Sequence, residues 1–360
     1  MAKRSGEEPT LAGVTLSHLD QPVFEGAGAT KGDLVTYLDA VHERLLPELR
    51  DRALSVVRAR LGQAAFMQKN LPAYAPEWIR TTTVWAAASR REVRYPVCDD
   101  RRTLVWLANQ RAVEYHPALL PVDGDRQTHL ILDLDPPDDV DPAEGFRMAV
   151  AAALLVRQAL TDAGLEGAVK TSGAKGVHVF VPLAEDAEIP DVAAATRALA
   201  ARAARLDPAV ATTEFVREDR GGKVFVDSTR AGGATVVAAY SPRVRPGLPV
   251  SFPLTWEQVE QARPGDFTVL TAIERLAADD SGAQAWAAAM ASPQSLPTDL
   301  VAEGHEIPIA RVVAMHEGKR RKRAQAQSQA HAEVQAEGED QDHQAEAAGE
   351  NASSPGGRAL

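Results

Sequence analysis

Apolar positions along this chain fall into two rhythms. In "KGDLVTYLDAVHERLLPELR" (residues 31–50) they recur at helical spacing, with an acid early and arginine last, which predicts a helix. "TLVWLANQRAVEY" (103–115) predicts another, and "PAEGFRMAVAAALLVRQALTDAGL" (142–165) a long one closed by Gly164. "VAAATRALAARAARL" (192–206), "WEQVEQAR" (256–263) and "FTVLTAIERLAA" (267–278) complete the helical set. The strand signals are denser. "HLILDLD" (129–135) is rich in Leu and Ile and is stopped by Pro136 and Pro137. "AVKTSGAKGVHVFVPL" (168–183) has the pattern of strand, glycine-rich turn, strand, and "GGKVFVDSTRAGGATVVAAYS" (221–241) that of two strands around a glycine turn. Strands and helices mixed without strict alternation predict an α+β fold. No internal repeat is present.

Composition sets the outer limits. The 360 residues are 45% hydrophobic and 25% charged, ordinary for a globular chain with a substantial core. From Gly318 the sequence turns to Ala, Gln, Glu and Gly without aromatic residues, which predicts a disordered tail over 318–360. Its "KRRKR" is either a partner-binding run or a solvated one. Residues 1–13 are expected to be a flexible N-terminus and 14–317 the folded domain. "MAKRSGEEPT" carries no apolar stretch, and the longest apolar run, "AVAAALLV", is far shorter than a membrane span, so a cytoplasmic protein without a membrane partner is expected. Cys98 is the only cysteine, which excludes a disulfide framework and a thiolate zinc cluster. The net charge of −11 argues against non-specific coating of DNA, but not against a localised basic groove.

The chemistry concentrates at strand ends. Residues i and i+2 of a strand share a face roughly 6.5–7 Å apart, so Asp133 and Asp135 project together while Leu134 enters the core. Two such carboxylates repel unless protonated or bridged by a cation. The bland alternative is a strand end whose acids are simply hydrated. Asp227, closing the apolar "KVFV", adds a third strand-end acid, and three are what a two-metal phosphoryl-transfer site requires. Between them, Ser172, Lys175 and His178 surround Gly173 and Gly176 in "KTSGAKGVHVF", where glycines let backbone N–H groups approach an anion. The spacing is not that of a Walker A loop. "YSPRVRPG" adds Arg243 and Arg245 as possible phosphate forks.

These motifs, in this order, closely resemble the polymerase domain of bacterial ligase D, within the archaeo-eukaryotic primase superfamily. The resemblance rests on "DLDPP", "KTSGAKGVHVFVPL", "VFVD" and "AYSPRVRPGLPVSFPLTWEQVE", with "TKGDLVTYLDAVHERLLPELR", "AFMQKNLPAYAPEWIRT" and "LVWLANQRAVEYHP" before them, and it covers about residues 14 to 290. It implies a primase-like fold of mixed and antiparallel sheets flanked by helices, with two lobes around a central cleft. It further implies a template-directed polymerase that joins NTPs or dNTPs to a primer 3′-OH in gap filling or double-strand-break repair. By the same resemblance Asp133, Asp135 and Asp227 would hold two Mn²⁺ or Mg²⁺ ions, and Ser172, Lys175, His178 and Arg243 the triphosphate. His116 would lie near the nucleotide sugar, Phe66 and Lys69 on template DNA, and Lys31 on a downstream 5′-phosphate. Primer-template or gapped DNA would be the partner, with Ku and a separate ATP-dependent ligase acting in trans, which implies a nucleoid-associated location. No ligase or nuclease motif follows, so a stand-alone member is expected.

Two positions depart from the pattern. Met67 stands where relatives carry a second aromatic, and Gln21 where they carry the earlier of two 5′-phosphate lysines. These departures keep open a rival reading, a DNA-end-binding module with the same fold and little activity. A haloacid-dehalogenase-like phosphatase fails on Pro137, where its first motif requires Thr or Val.

Overall fold

The computed structural model describes residues 9–86, 90–184, 187–232, 234–263 and 265–309, with positions 312 and 315. The tail and its basic run, and most of the N-terminal ten residues, lie outside the described residues. The described residues up to Ile307 form one compact unit. In chain order the elements are β1 (Thr10–Leu11), β2 (Val14–Thr15), α1 (Lys31–Ala40), α2 (His42–Leu49), β3 (Arg52–Arg60), β4 (Gln63–Gln68), β5 (Thr81–Ala86) and β6 (Arg91–Pro96). Then come α3 (Arg101–Asn109), β7 (Ala112–Pro121), β8 (His129–Asp135), α4 (Pro142–Asp162), β9 (Ala168–Thr171), β10 (Val177–Pro182), α5 (Ile189–Leu206), β11 (Ala211–Thr212) and β12 (Val224–Asp227). β13 (Pro253–Leu254), α6 (Trp256–Gln261), α7 (Ala272–Ala278), α8 (Ser281–Met290) and α9 (Thr298–Glu306) complete the unit. No helix among the described residues is long and apolar enough to cross a membrane.

A six-stranded sheet in the order β11-β12-β8-β10-β9-β13 holds the centre. All its pairs are antiparallel except β11 with β12. The continuous apolar runs of β8 and β10 mark central strands buried on both faces. Alternation puts Leu130, Leu132 and Leu134 on one face, all fully buried, and Ile131, Asp133 and Asp135 on the other. Helices α4 and α5 pack against this sheet and against each other. A second sheet, β4-β3-β7, and the β5–β6 hairpin build the N-terminal half. Both larger sheets share one hydrophobic core, in which Leu54, Val56 and Tyr115 join Leu132 and Val179.

The mixed α+β architecture follows the sequence pattern, with four local differences. Helix 31–50 is two helices, because Val41 leaves helical geometry at φ −97°, ψ 7°. "TLVWLANQRAVEY" is helix only to Asn109; Arg111 takes φ +62° and β7 begins at Ala112. The Arg111 guanidinium, bonded to the carbonyls of Pro22 and Val23 at 2.7 and 3.0 Å, anchors that switch. After β12 the expected second strand is irregular chain tied by isolated bridges such as Ala118 with Thr235. In "FTVLTAIERLAA" only Ala272 onward is helical.

Candidate metal and nucleotide site

Five strands of the central sheet each give one residue to a single cross-strand row. Asp227 on β12 is register partner of Asp133 on β8, Asp133 of His178 on β10, His178 of Lys170 on β9, and Lys170 of Pro253 on β13. Register partners project to the same face, so acids far apart in sequence become neighbours in space. Asp135, two residues beyond Asp133, shares that face. One oxygen from each of Asp133, Asp135 and Asp227 lies within 4.8 Å of the other two.

Two neighbouring hydrogen-bond donors make this crowding tolerable. Burial raises the Asp133 carboxyl, but two partners outweigh it and hold the group well below the carboxylate range. These are His178, whose Nε2 is 3.2 Å from Oδ1, and Arg230, whose Nη2 is 3.0 Å from Oδ2. Arg230 Nε also lies 3.4 Å from Asp227 Oδ2, while Asp227 Oδ1 accepts the Thr229 N–H at 2.8 Å. Arg230 therefore bridges two of the three acids as an internal cation. Asp135 reaches solvent at the rim, yet partial burial and then the negative charges of Asp133 and Asp227 push it up to about 7. An all-oxygen trio on rigid strands, with one member driven toward the protonated form, suits a hard divalent cation. The three carboxylates can hold a metal ion.

A cavity of about 290 Å³ opens beside the acids. Asp133 and Asp135 line one part, and Lys175, Arg217, Arg220, Arg243 and Arg245 another. A larger cavity of about 860 Å³, around Arg44, His129 and Trp286, has none of the three acids in its lining. The glycine loop is closed on itself: the Ser172 hydroxyl accepts the N–H groups of Ala174 at 3.1 Å and Gly176 at 3.0 Å. Ser172 thus shapes the loop, and those two N–H groups, expected to face an anion, are already bonded. Lys175 and Arg217 both pair with Asp138 at the exposed rim. Such solvent-exposed pairs contribute little, about 0–1 kcal/mol, so these cations are easily drawn to a stronger anion. Arg243 donates from Nη1 to the Ser172 carbonyl at 2.6 Å.

Other expected residues lie elsewhere. His116 does not line the cavity; its Nε2 is 2.8 Å from Glu114 Oε2, and that same oxygen is 3.2 Å from Arg243 Nε. Glu114 therefore links His116 to Arg243. Phe66 and Lys69 belong to the exposed β4 region, with the Arg58 guanidinium 6.0 Å from the Phe66 ring centre. Lys31 is 3% exposed and donates from Nζ to the Ser17 carbonyl at 2.5 Å. An exposed 5′-phosphate contact through Lys31 would require that ammonium to leave its buried bond. Gln21 accepts from Arg111 Nη2 at 2.6 Å. Residues with a part in the site but not singled out by the sequence are Arg217, Arg220, Arg230, Glu114, Asp138 and Lys170. The alternating acid and histidine of "VEYHP" is the one signal that pointed to Glu114.

Residues 30–283 match the family described as LigD, primase-polymerase domain. The chain belongs to that family. It is 32% identical over 274 residues to the bifunctional non-homologous end joining protein LigD of Bacillus subtilis, covering 75% of this chain and 43% of that protein. It is also 32% identical over 280 residues to the multifunctional non-homologous end joining DNA repair protein LigD of Mycobacterium tuberculosis (strain H37Rv), covering 74% and 36%. The chain thus spans less than half the length of these relatives. Among solved structures, the polymerase domain from Mycobacterium tuberculosis ligase D in complex with DNA superposes with a TM-score of 0.66 at 30% identity, covering 74% of this chain and 95% of that one.

In this LigD-family site, Asp135 as a ligand would give metal binding a distinct pH signature. With its carboxyl at about 7 in the metal-free chain, ligation must displace a proton. Mn²⁺ affinity is expected to rise by up to about tenfold per pH unit below neutrality and to level off above it. Titration calorimetry in buffers of different ionisation enthalpy would detect the released proton; equal affinity at acid and alkaline pH would show that Asp135 does not enter the ligand set from its protonated form. The stability sign is opposite for the metal-free chain. A carboxyl raised on folding binds more protons in the folded state, so stability falls as pH rises from the unfolded value toward 7.

Proposed function

We propose that this chain is a metal-dependent, template-directed polymerase of the primase-polymerase type, adding nucleotides to a primer 3′-OH. The convergence of Asp133, Asp135 and Asp227 within 4.8 Å beside a basic cavity carries this reading. Mn²⁺ or Mg²⁺ held by the three acids would polarise phosphoryl oxygens and lower the pKa of the attacking hydroxyl. The chain's own residues supply the rest. His178 and Arg230 keep Asp133 ionised and oriented. Lys175 and Arg217, released from Asp138, and Arg243 face the developing charge of a triphosphate, where fixed cations stabilise the transition state. Asp135, protonated in part at neutral pH, takes up ligation only by losing its proton.

The DNA assignment draws on the printed description of the structural relative, a polymerase domain in complex with DNA. Phe66, 43% exposed on an edge strand, offers a stacking surface for an unpaired base, and Lys69 a backbone contact. The relatives' names attach this domain to non-homologous end joining, and we extend that setting to this chain, with Ku and an ATP-dependent ligase as its partners. Acceptance of both NTPs and dNTPs belongs to the same proposal.

Primer extension tests it. Open, gapped and 5′-phosphorylated gapped primer-templates, each with NTPs or dNTPs and with Mn²⁺ or Mg²⁺, should show metal-dependent incorporation that follows the template base. Given the buried Lys31 and the glutamine at 21, the 5′-phosphate should stimulate extension little. Tight binding to gapped DNA without incorporation in either metal would refute the polymerase reading and support an end-binding module.

A further inference from the structure

Lys170 is fully buried in the middle of the central sheet, next in the row after His178. Among the described residues no carboxylate forms a close ion pair with it; burial pushes its amine down to about 7, with Glu48 and Asp133 opposing that only at longer range. Its hydrogen bonds run in one direction. Nζ lies 2.6 Å from Ser251 Oγ, and that hydroxyl spends its proton on the Thr171 carbonyl at 2.8 Å. Ser251 is therefore an acceptor toward Lys170. Nζ also lies 2.9 Å from His178 Nδ1, while the opposite ring nitrogen, Nε2, is 3.2 Å from Asp133 Oδ1. An ionised carboxylate only accepts, so Nε2 must carry a proton. The reverse tautomer would set a bare nitrogen lone pair against a carboxylate oxygen. In the neutral ring Nδ1 is then an acceptor, and Lys170 is the donor that fits it.

We infer that Lys170 is a positioning residue: by donating to His178 Nδ1 it fixes the ring with the proton on Nε2, and so holds Asp133 in the orientation in which it serves the acid trio. The inference rests on the metal-site reading above. Carboxylates that bind metals are themselves held by hydrogen bonds, and disturbing those holders typically weakens binding by about 10–100-fold. Lys170 stands one bond further back, so the lower end applies. Ser251 belongs to the same line, because it fixes where the ammonium can sit. The Phe180 ring, 5.4 Å from Nζ, closes another side.

The test uses the full chain with ¹⁵N-labelled histidine, the His178 signals being assigned by their loss in His178→Gln. Wild type is expected to show Nε2 protonated and Nδ1 bare. Lys170→Met keeps the length and removes the donor; it should mix the two tautomers and weaken Mn²⁺ binding, measured without DNA or nucleotide, by about tenfold. Lys170→Gln, which restores an N–H donor, should recover part of both. Ser251→Ala removes one of the two side-chain hydrogen bonds of Lys170 and should shift both readouts in the same direction, which keeps the inference testable if Lys170→Met fails to fold. Unchanged ring shifts together with unchanged Mn²⁺ affinity, in whichever of these variants folds, would overturn it. The ring shifts need no metal. A wild-type chain that failed to bind Mn²⁺ would count against the metal reading, while the assignment of Lys170 would still be decided by the tautomer.

Discussion

Asp227→Ala is expected to lower template-directed incorporation by at least about 10³-fold, since charge stabilisation at such a site is worth several kcal/mol. The residue is 6% exposed and engaged at both oxygens, by the Thr229 N–H and by Arg230. Its removal takes one of three converging carboxylates from the ligand set but leaves the strand pairing of β12 intact. Stability should change little, because one like-charge repulsion against Asp135 disappears and Arg230 keeps Asp133 as its partner. Asp133→Ala should lose as much activity and be less stable than Asp227→Ala. It leaves the buried His178 Nε2–H without its acceptor and Arg230 with Asp227 alone, and a buried donor left unsatisfied costs about 1–3 kcal/mol. Single-turnover extension with thermal unfolding of both variants checks the contrast. Undiminished incorporation by either variant would end the metal mechanism, and equal destabilisation would show that Asp133 is not the electrostatic centre of the row.

The contrast follows from what a sequence can and cannot display. "HLILDLD" and "KVFVD" announce strand-end acids because alternation along one strand is a local property. That the acids meet depends on β12 pairing with β8 in one particular register, and register is set by buried faces and turns distant in sequence. The "SGAKG" turn was legible as a close backbone approach, but the inward turn of Ser172 onto Ala174 and Gly176 was not, because a hydroxyl bonded to its own loop has the same sequence as one facing a ligand. Arg230 is a lone arginine in a polar turn until folding sets it across Asp133 and Asp227. Lys170 sits in a strand pattern where a lysine suggests an exposed edge, yet β9 is covered on both sides by β10 and β13. The helical pattern in "RAVEY" yielded to tertiary contacts, since β7 gains β3 as a partner and Arg111 gains the Pro22 and Val23 carbonyls. The strands β3 to β6 gave no clear sequence signal: arginines and polar residues interrupt their apolar positions, and most of β4 and β5 is solvent-facing.

Gly176→Ala is expected to damage stability and activity together, although it removes no functional side chain. A Cβ at this position would stand 2.4 Å from the Leu134 carbonyl oxygen, where real contacts essentially never fall below 3.0 Å. The obstacle is backbone in the central strand β8, so no side chain can swing aside. Relief requires β10 to move away from β8 just before Val177 pairs with Leu134 and His178 with Asp133. Overpacking of this kind costs about 1–3 kcal/mol, and displacing a positioned group by about 1 Å lowers rates by about 10²-fold. Gly164→Ala is the matched control. Gly164 has φ +72° but open space around the added carbon, so it should lose about 1 kcal/mol through backbone strain alone and keep full activity. Urea unfolding and primer extension on both variants separate the two effects. If Gly176→Ala were as active as Gly164→Ala, the spacing of β8 and β10 at this point would not govern how His178 meets Asp133, and the acid trio would owe its geometry to Arg230 instead.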